Sequence, residues 1–167
     1  IITDLDGNTH DIYAILDEGK TVVLDLYATW CGPCWNYVQT GALEDLYENY
    51  GPDGTDEVVI IGIESDPSTS VEAISGGAGG NTIGNWLTGV EYPMANDDEV
   101  ADIFEQAYYP YIIRICPNRQ IFELGQQNAT GIMADVAECV SGSGNVNDLS
   151  PSNQGCLTTG ENNSVWY

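Results

Sequence analysis

Positive charge is almost missing from this chain. Lys20, Arg114 and Arg119 stand against 26 Asp and Glu in 167 residues, a formal net charge of −23. So few cations cannot neutralise a phosphate backbone or an anionic lipid surface, which excludes nucleic acid and charged membranes as partners. Long apolar runs are missing too. None approaches the roughly 18 residues of a membrane span, so no membrane insertion is expected. Histidine is down to His10. The pair Cys31 and Cys34 has no second Cys-x-x-Cys among Cys116, Cys139 and Cys156 to complete a tetrahedral zinc site, so no metal is expected. Asp4-Leu5-Asp6-Gly7-Asn8 glances at a calcium loop, but it lacks the carboxylate spacing and the closing Glu; Asp-Gly reads instead as a hairpin turn.

What is present suffices for a core. Hydrophobic residues make up 43% and aromatics 10%, and the length fits one domain. The acidity suits a salty environment, where salt screens self-repulsion, or a secreted protein kept soluble by charge. The chain starts at Ile1 without an initiator Met, as expected of a processed form or a piece of a larger protein. Three cysteines beyond the Cys-x-x-Cys lean toward an oxidising, extracytoplasmic compartment, periplasmic or secreted.

Along the chain, Ile1 to Tyr13 reads as a β-hairpin turning at Asp6-Gly7, and Asp11 to Glu18 as a short helix ended by Gly19. Thr21 to Tyr27 is almost continuously apolar, as in a strand buried on both faces. Cys34 to Tyr50 carries Trp35, Val38, Ala42, Leu43, Leu46, Tyr47 and Tyr50 at helical spacing, stopped by Gly51-Pro52. Glu57 to Ile63 is a second buried strand, so strand, helix and strand imply a right-handed parallel crossover. Ser68 to Ser75 suits a short helix, and Gly76 to Gly80 a loop. Glu91 to Ala95 suits a short strand. Asp97 to Ala107 suits a helix with Val100, Ile103 and Phe104 inward and acids at its start. Tyr111 to Ile115 and Gln120 to Leu124 read as an antiparallel pair turning at Asn118-Arg119. Ala129 to Val140 reads as a last helix with Ile132, Met133, Val136 and Val140 on one face. Residues 1–140 are expected to form the domain, and 141–167, rich in Ser, Gly and Asn, a tail.

Trp30-Cys31-Gly32-Pro33-Cys34 falls between the first buried strand and the amphipathic helix. At a helix N-terminus, unpaired N–H groups favour an ionised Cys31, which the chemistry needs to be accessible. Cys34 lies one turn on, within reach of a disulfide. Gly32 allows close approach of a partner chain, Pro33 is tolerated in a first turn, and Trp30 forms an apolar shoulder. A redox-active dithiol is the reading that uses every part. It needs no organic cofactor.

Leu24-Asp-Leu-Tyr-Ala-Thr-Trp-Cys-Gly-Pro-Cys34 resembles the active-site strand and turn of the thioredoxin superfamily. The resemblance extends over roughly Ile1 to Val140. The leading hairpin and the long stretch between Ile63 and Tyr108 look most like the extracytoplasmic TlpA-like thiol–disulfide oxidoreductases. It implies an α/β thioredoxin-like fold: a central mixed β-sheet flanked by helices, an N-terminal β-hairpin, and an inserted segment before the cis-Pro strand. It implies that Asp25 is the buried acid taking a proton from Cys34. It further implies a cis Tyr109-Pro110 bond facing the cysteines, with the Tyr109 backbone pairing with an extended substrate. Gly125 resembles the family glycine after the last strand. Tyr109 departs from the family, where many relatives have Thr, and a bulky phenol there either narrows the substrate range or simply packs with Tyr108 and Tyr111.

In that fold Cys116 and Cys139 fall at the end far from the dithiol and are expected to pair; Cys139–Cys156 is the rival, and it would anchor the tail. The implied function is reduction or exchange of disulfides in partner proteins by a monomer, with an unidentified thiol as electron donor. The alternatives are a non-catalytic thioredoxin-like binding module of a secreted protein and a peroxiredoxin-type peroxidase. The peroxidase requires Pro-x-x-x-Thr/Ser-x-x before its cysteine, whereas Tyr27-Ala28-Thr29 precedes Trp30-Cys31 here.

Overall fold

A computed structural model of the chain describes residues 1–77 and 81–139. It opens with an antiparallel ribbon of β1 (Ile2–Thr3) and β2 (Thr9–His10), turning where the Asp-Gly signal placed it, with Gly7 at φ 85°. Asp4 closes the ribbon from inside. Its Oδ1 accepts the N–H groups of Asp6 and Asn8 at 3.0 and 2.8 Å, and its Oδ2 lies 2.8 Å from His10 Nε2. Helix α1 (Ile12–Asp17) follows, its first N–H groups satisfied by Asp11.

The sheet is built on β3 (Thr21–Tyr27), every residue of which is buried. Its continuous apolar pattern has its cause here. β3 is central, parallel to β4 (Val58–Glu64) on one side and antiparallel to β6 (Tyr111–Ile115) on the other. The short strands β5 (Met94–Asn96) and β7 (Ile121–Glu123) close the edges, giving the order β5-β4-β3-β6-β7. Side chains alternate between the faces of a strand. Val23 and Tyr27 therefore point into one hydrophobic cluster, while Val22, Leu24 and Leu26 point into another that also takes Leu16 and Ile15 of α1.

The helix expected over residues 34–50 is two helices, α2 (Gly32–Val38) and α3 (Ala42–Tyr50). Gly41 takes φ 71°, a left-handed conformation glycine adopts without a steric cost, and the Thr40 hydroxyl donates to the Tyr37 carbonyl at 2.6 Å, which turns the chain between them. Of the Ser68–Ser75 segment only α4 (Val71–Ile74) is helical. Likewise α5 (Glu99–Ile103) is little more than one turn. A helix so short offers the sheet a narrow face. Val100 is buried and Phe104 packs beside it, but Ile103, expected inward, is 70% exposed.

The last helix, α6 (Ala129–Val136), is capped by Asn128 and packs Ile132, Met133 and Val136 on the cluster that contains the cysteine pair. It stops short of residue 140 because the chain tightens after Val136, whose carbonyl accepts the Cys139 N–H at 2.9 Å. That turn brings Cys139 to Cys116 in a disulfide with Cα atoms 5.3 Å apart. Val140, the tail from residue 141 and Cys156 lie outside the described residues.

Candidate active site

The site forms where β3 hands over to α2. Cys31 is the N-cap of α2, with extended backbone (φ −78°, ψ 109°), and its Sγ accepts the Cys34 N–H at 3.1 Å. Pro33 sits in the first turn, where it leaves no donor orphaned. Cys31 and Cys34 are joined in a disulfide, Cα atoms 5.3 Å apart. A Cβ placed on Gly32 would meet nothing within 4 Å, so the turn is open to an approaching chain. The sulfurs themselves are not. Cys31 is only 3% exposed and Cys34 1%, whereas Trp30 beside them is 41% exposed. The expected accessible Cys31 is therefore corrected for the oxidised form: the core cluster encloses the sulfur and Trp30 presents the surface.

Residues distant in sequence converge on this turn. The Tyr109-Pro110 bond is cis, as the resemblance implied. The Tyr109 ring meets Trp30 edge-on with centroids 5.6 Å apart and packs on the cluster holding Cys31 and Cys34. Tyr108 instead pairs with Tyr111. On the other side, Gln126 Nε2 donates to the Pro33 carbonyl at 3.0 Å, and the Tyr37 hydroxyl donates to the Gln127 carbonyl at 2.7 Å. Pro33, Asn36, Tyr37, Thr40, Gln126 and Gln127 line a groove of about 480 Å³ there. Gly125, at φ 66°, turns the chain toward it.

Asp25, 1% exposed and opposite Gly62 and Ile112 in the sheet, shares its strand face with Val23 and Tyr27, the face covered by the cluster that holds Cys31 and Cys34. Its Oδ1 has no hydrogen-bond partner among the described residues. Burial without compensation pushes the carboxyl up to about pKa 7. Burial raises the phenols of Tyr27, Tyr37 and Tyr92, and the charge of Asp25 adds to the rise in each.

Two features escaped the reading of the sequence. The first is Trp86, in the inserted segment, fully buried. It stacks on Tyr27 with centroids 4.5 Å apart, meets Trp35 edge-on at 5.0 Å, and donates from Nε1 to the Thr29 carbonyl at 3.2 Å. The second is the acidic end of β4. Glu64, 1% exposed, accepts the N–H groups of Thr29 and Asp66, and Asp66 accepts the Trp30 indole N–H at 2.5 Å. The only sequence signal for it was Glu64 closing an otherwise apolar run.

A central mixed sheet, a cysteine pair at the N-terminus of the following helix and a cis-proline loop beside it define a thioredoxin-like fold. Within that class the chain belongs to the Redoxin family, whose sequence model it matches over residues 2–109. It is similar to thiol-disulfide oxidoreductase ResA of Oceanobacillus iheyensis, 28% identical over 127 residues, covering 72% of this chain and 59% of that protein. The chain spans less than two thirds of the length of the curated relatives it matches. Among solved structures, its fold is shared by StoA from Bacillus subtilis (TM-score 0.56, 13% identity, 83% of this chain and 95% of that one). The pneumococcal exposed lipoprotein thioredoxin of Streptococcus pneumoniae shares it too (TM-score 0.53, 21% identity, 82% and 96%).

Proposed function

We propose that the chain is a thiol–disulfide oxidoreductase that reduces or exchanges disulfides in partner proteins. The observation carrying this reading is the Cys31–Cys34 disulfide at a helix N-terminus, packed in one cluster with Tyr109 of the cis-proline turn and on the sheet face that carries a buried acid. In the reduced form, Cys31 thiolate attacks one sulfur of a substrate disulfide. The substrate's other sulfur leaves as a thiolate and takes a proton, and a mixed disulfide remains. Cys34 gives its proton to Asp25 and attacks Cys31 Sγ. The substrate's second sulfur leaves, and the chain's own disulfide closes. Two electrons have passed to the substrate, and a thiol donor returns them to complete the cycle. Asp25 suits its task because a carboxyl near pKa 7 can accept a proton and release it again at neutral pH.

Trp30, Gly32, Pro33, Tyr109 and Pro110 are the residues we assign to substrate contact, with the open side of Gly32 as the approach. A surface of net charge −23 favours basic over acidic partners. An extracytoplasmic location is in keeping with two disulfides in the described residues, and among the described residues no helix is long and apolar enough to cross a membrane.

The low exposure of Cys31 favours a second reading, a thioredoxin-like binding module whose disulfide does not turn over. Reduction of insulin disulfides by the wild type and by Cys31→Ser separates the two. The oxidoreductase loses nearly all of its rate on substitution, because no attacking thiolate remains; equal rates reject it.

A further inference from the structure

Side chains alternate along a strand, and Glu64 pairs with Tyr27 while Asp25 pairs with Gly62. Asp25 and Glu64 therefore project from the same sheet face, their pairs separated by Leu26–Ile63, and both are 1% exposed. The proposed thiol–disulfide chemistry uses Asp25 and leaves Glu64 without a task. Its contacts, however, lead to Cys31 by two routes. Oε1 accepts the N–H of Thr29, two residues before Cys31, and Oε2 accepts the N–H of Asp66, each at 3.3 Å. Thr29 is otherwise pinned by the inserted segment: its carbonyl accepts from Ile83 N and Trp86 Nε1, and its hydroxyl donates to the Asn81 carbonyl. Asp66 in turn holds the indole of Trp30, the residue next to Cys31.

We propose that Glu64 is a positioning residue of the dithiol, setting the acidity of Cys31 by holding the Thr29–Trp30 turn and by placing a removable negative charge beside it. This rests on the oxidoreductase reading and adds a second carboxyl to it, one for each sulfur: Asp25 for Cys34, Glu64 for Cys31.

The electrostatics agree with the geometry. Burial pushes the Glu64 carboxyl up to about 7, and the two long backbone hydrogen bonds only partly oppose this. The titratable groups facing it are Tyr27 of β3, Asp66 beyond β4, and Tyr109 of the cis-proline turn; Asp25 shares its sheet face. No cation joins them. Lys20 is paired with Glu18 and Asp56, Arg114 with Glu138, and Arg119 with Asp17. Among the described residues no cation compensates a second negative charge at this end of the sheet. When Glu64 is ionised, a Cys31 thiolate is disfavoured; when Glu64 is neutral, the thiolate forms more readily. The coupling is reciprocal, so the reduced protein, carrying that thiolate, holds the Glu64 proton to higher pH than the oxidised protein does.

The test is the pH profile of Cys31 alkylation by iodoacetamide in the reduced full chain, with the modified residue assigned by mass spectrometry. Glu64→Gln keeps the shape and removes the charge. We expect its Cys31 to titrate at lower pH than in the wild type and to react roughly three- to tenfold faster near pH 7, corresponding to half to one unit of acidity. Superimposable profiles overturn the proposal while leaving the oxidoreductase reading in place. A wild-type Cys31 no more reactive than free cysteine overturns both. A variant that does not fold is bypassed by following the Glu64 carboxyl by carbon NMR in the wild type. Its titration moves up on reduction if the proposal holds; an identical midpoint in the two redox states refutes it.

Discussion

Asp4 and Asp25 are both buried aspartates, and they are treated in opposite ways. Asp4 is surrounded by donors: the backbone of Asp6 and Asn8, the Asn8 side chain, and His10. Burial works to raise its pKa, but those hydrogen bonds overcome it and bring the carboxyl down to about 2. Asp25 has an oxygen with no partner among the described residues, and its carboxyl rises to about 7. The first is charged at all ordinary pH and closes a turn. The second is poised to change charge. Burial alone does not separate a structural carboxylate from a reactive one; the supply of donors does.

The two disulfides draw the same line in sulfur. Cys31–Cys34 closes a ring of three residues' separation at the mouth of the site, whereas Cys116–Cys139 spans 23 and ties β6 to the end of α6. The largest effect we expect on stability comes from the second. The double substitution Cys116→Ser, Cys139→Ser lowers unfolding free energy by about 3 kcal/mol in the chain-entropy model, measured in urea without reductant, and leaves the chemistry of Cys31 in place. A loss of disulfide turnover greater than the loss of folded protein would break the division between the two bridges.

Next in size is Asp25→Asn, and its sign is the informative part. A carboxyl raised on folding binds its proton more tightly in the native state. The wild type therefore loses stability as pH rises from about 4 through 7. The variant does not, and at pH 8 it is the more stable of the two. At the same time it resolves mixed disulfides more slowly. A variant destabilised at pH 8 would mean that Asp25 is as well satisfied as Asp4. The smallest expected effect is the mirror image. Asp4→Asn lowers stability at pH 7 by about 1 kcal/mol through lost charge-assisted hydrogen bonds. In the wild type the Asp4 contribution is present above about pH 4 and disappears as pH falls toward 2. Thermal unfolding at pH 7 and pH 2.5 checks this: the gap between variant and wild type is widest at the first and narrows at the second.

Much of this was legible before any coordinates. β3, β4 and β6 appear as apolar runs because both faces of each are covered. The Cys31 turn is written in adjacent residues, and the Cys116–Cys139 bridge follows from which ends of the fold the two cysteines occupy. What stayed hidden is nonlocal. Glu64 reads as an acid at a strand end, a place that faces water in most proteins. It is buried because Thr29 and Asp66 close over it. Trp86 lies among glycines, asparagines and threonines with no periodicity to mark it, and only its docking on Tyr27 and Trp35 shows why it is there. The break at Gly41 was missed because apolar spacing continues across it, from Val38 to Ala42.

Disulfide exchange requires that Cys31–Cys34 be a pair that opens and closes in use. Its most direct measure is the reduction potential of that pair, obtained by equilibrating the full chain in dithiol buffers and quantifying each state by thiol trapping and mass spectrometry. We predict a value above about −300 mV, within the span of exchanging dithiols. A more negative potential would mark a bridge that stays shut, and would contradict the oxidoreductase assignment.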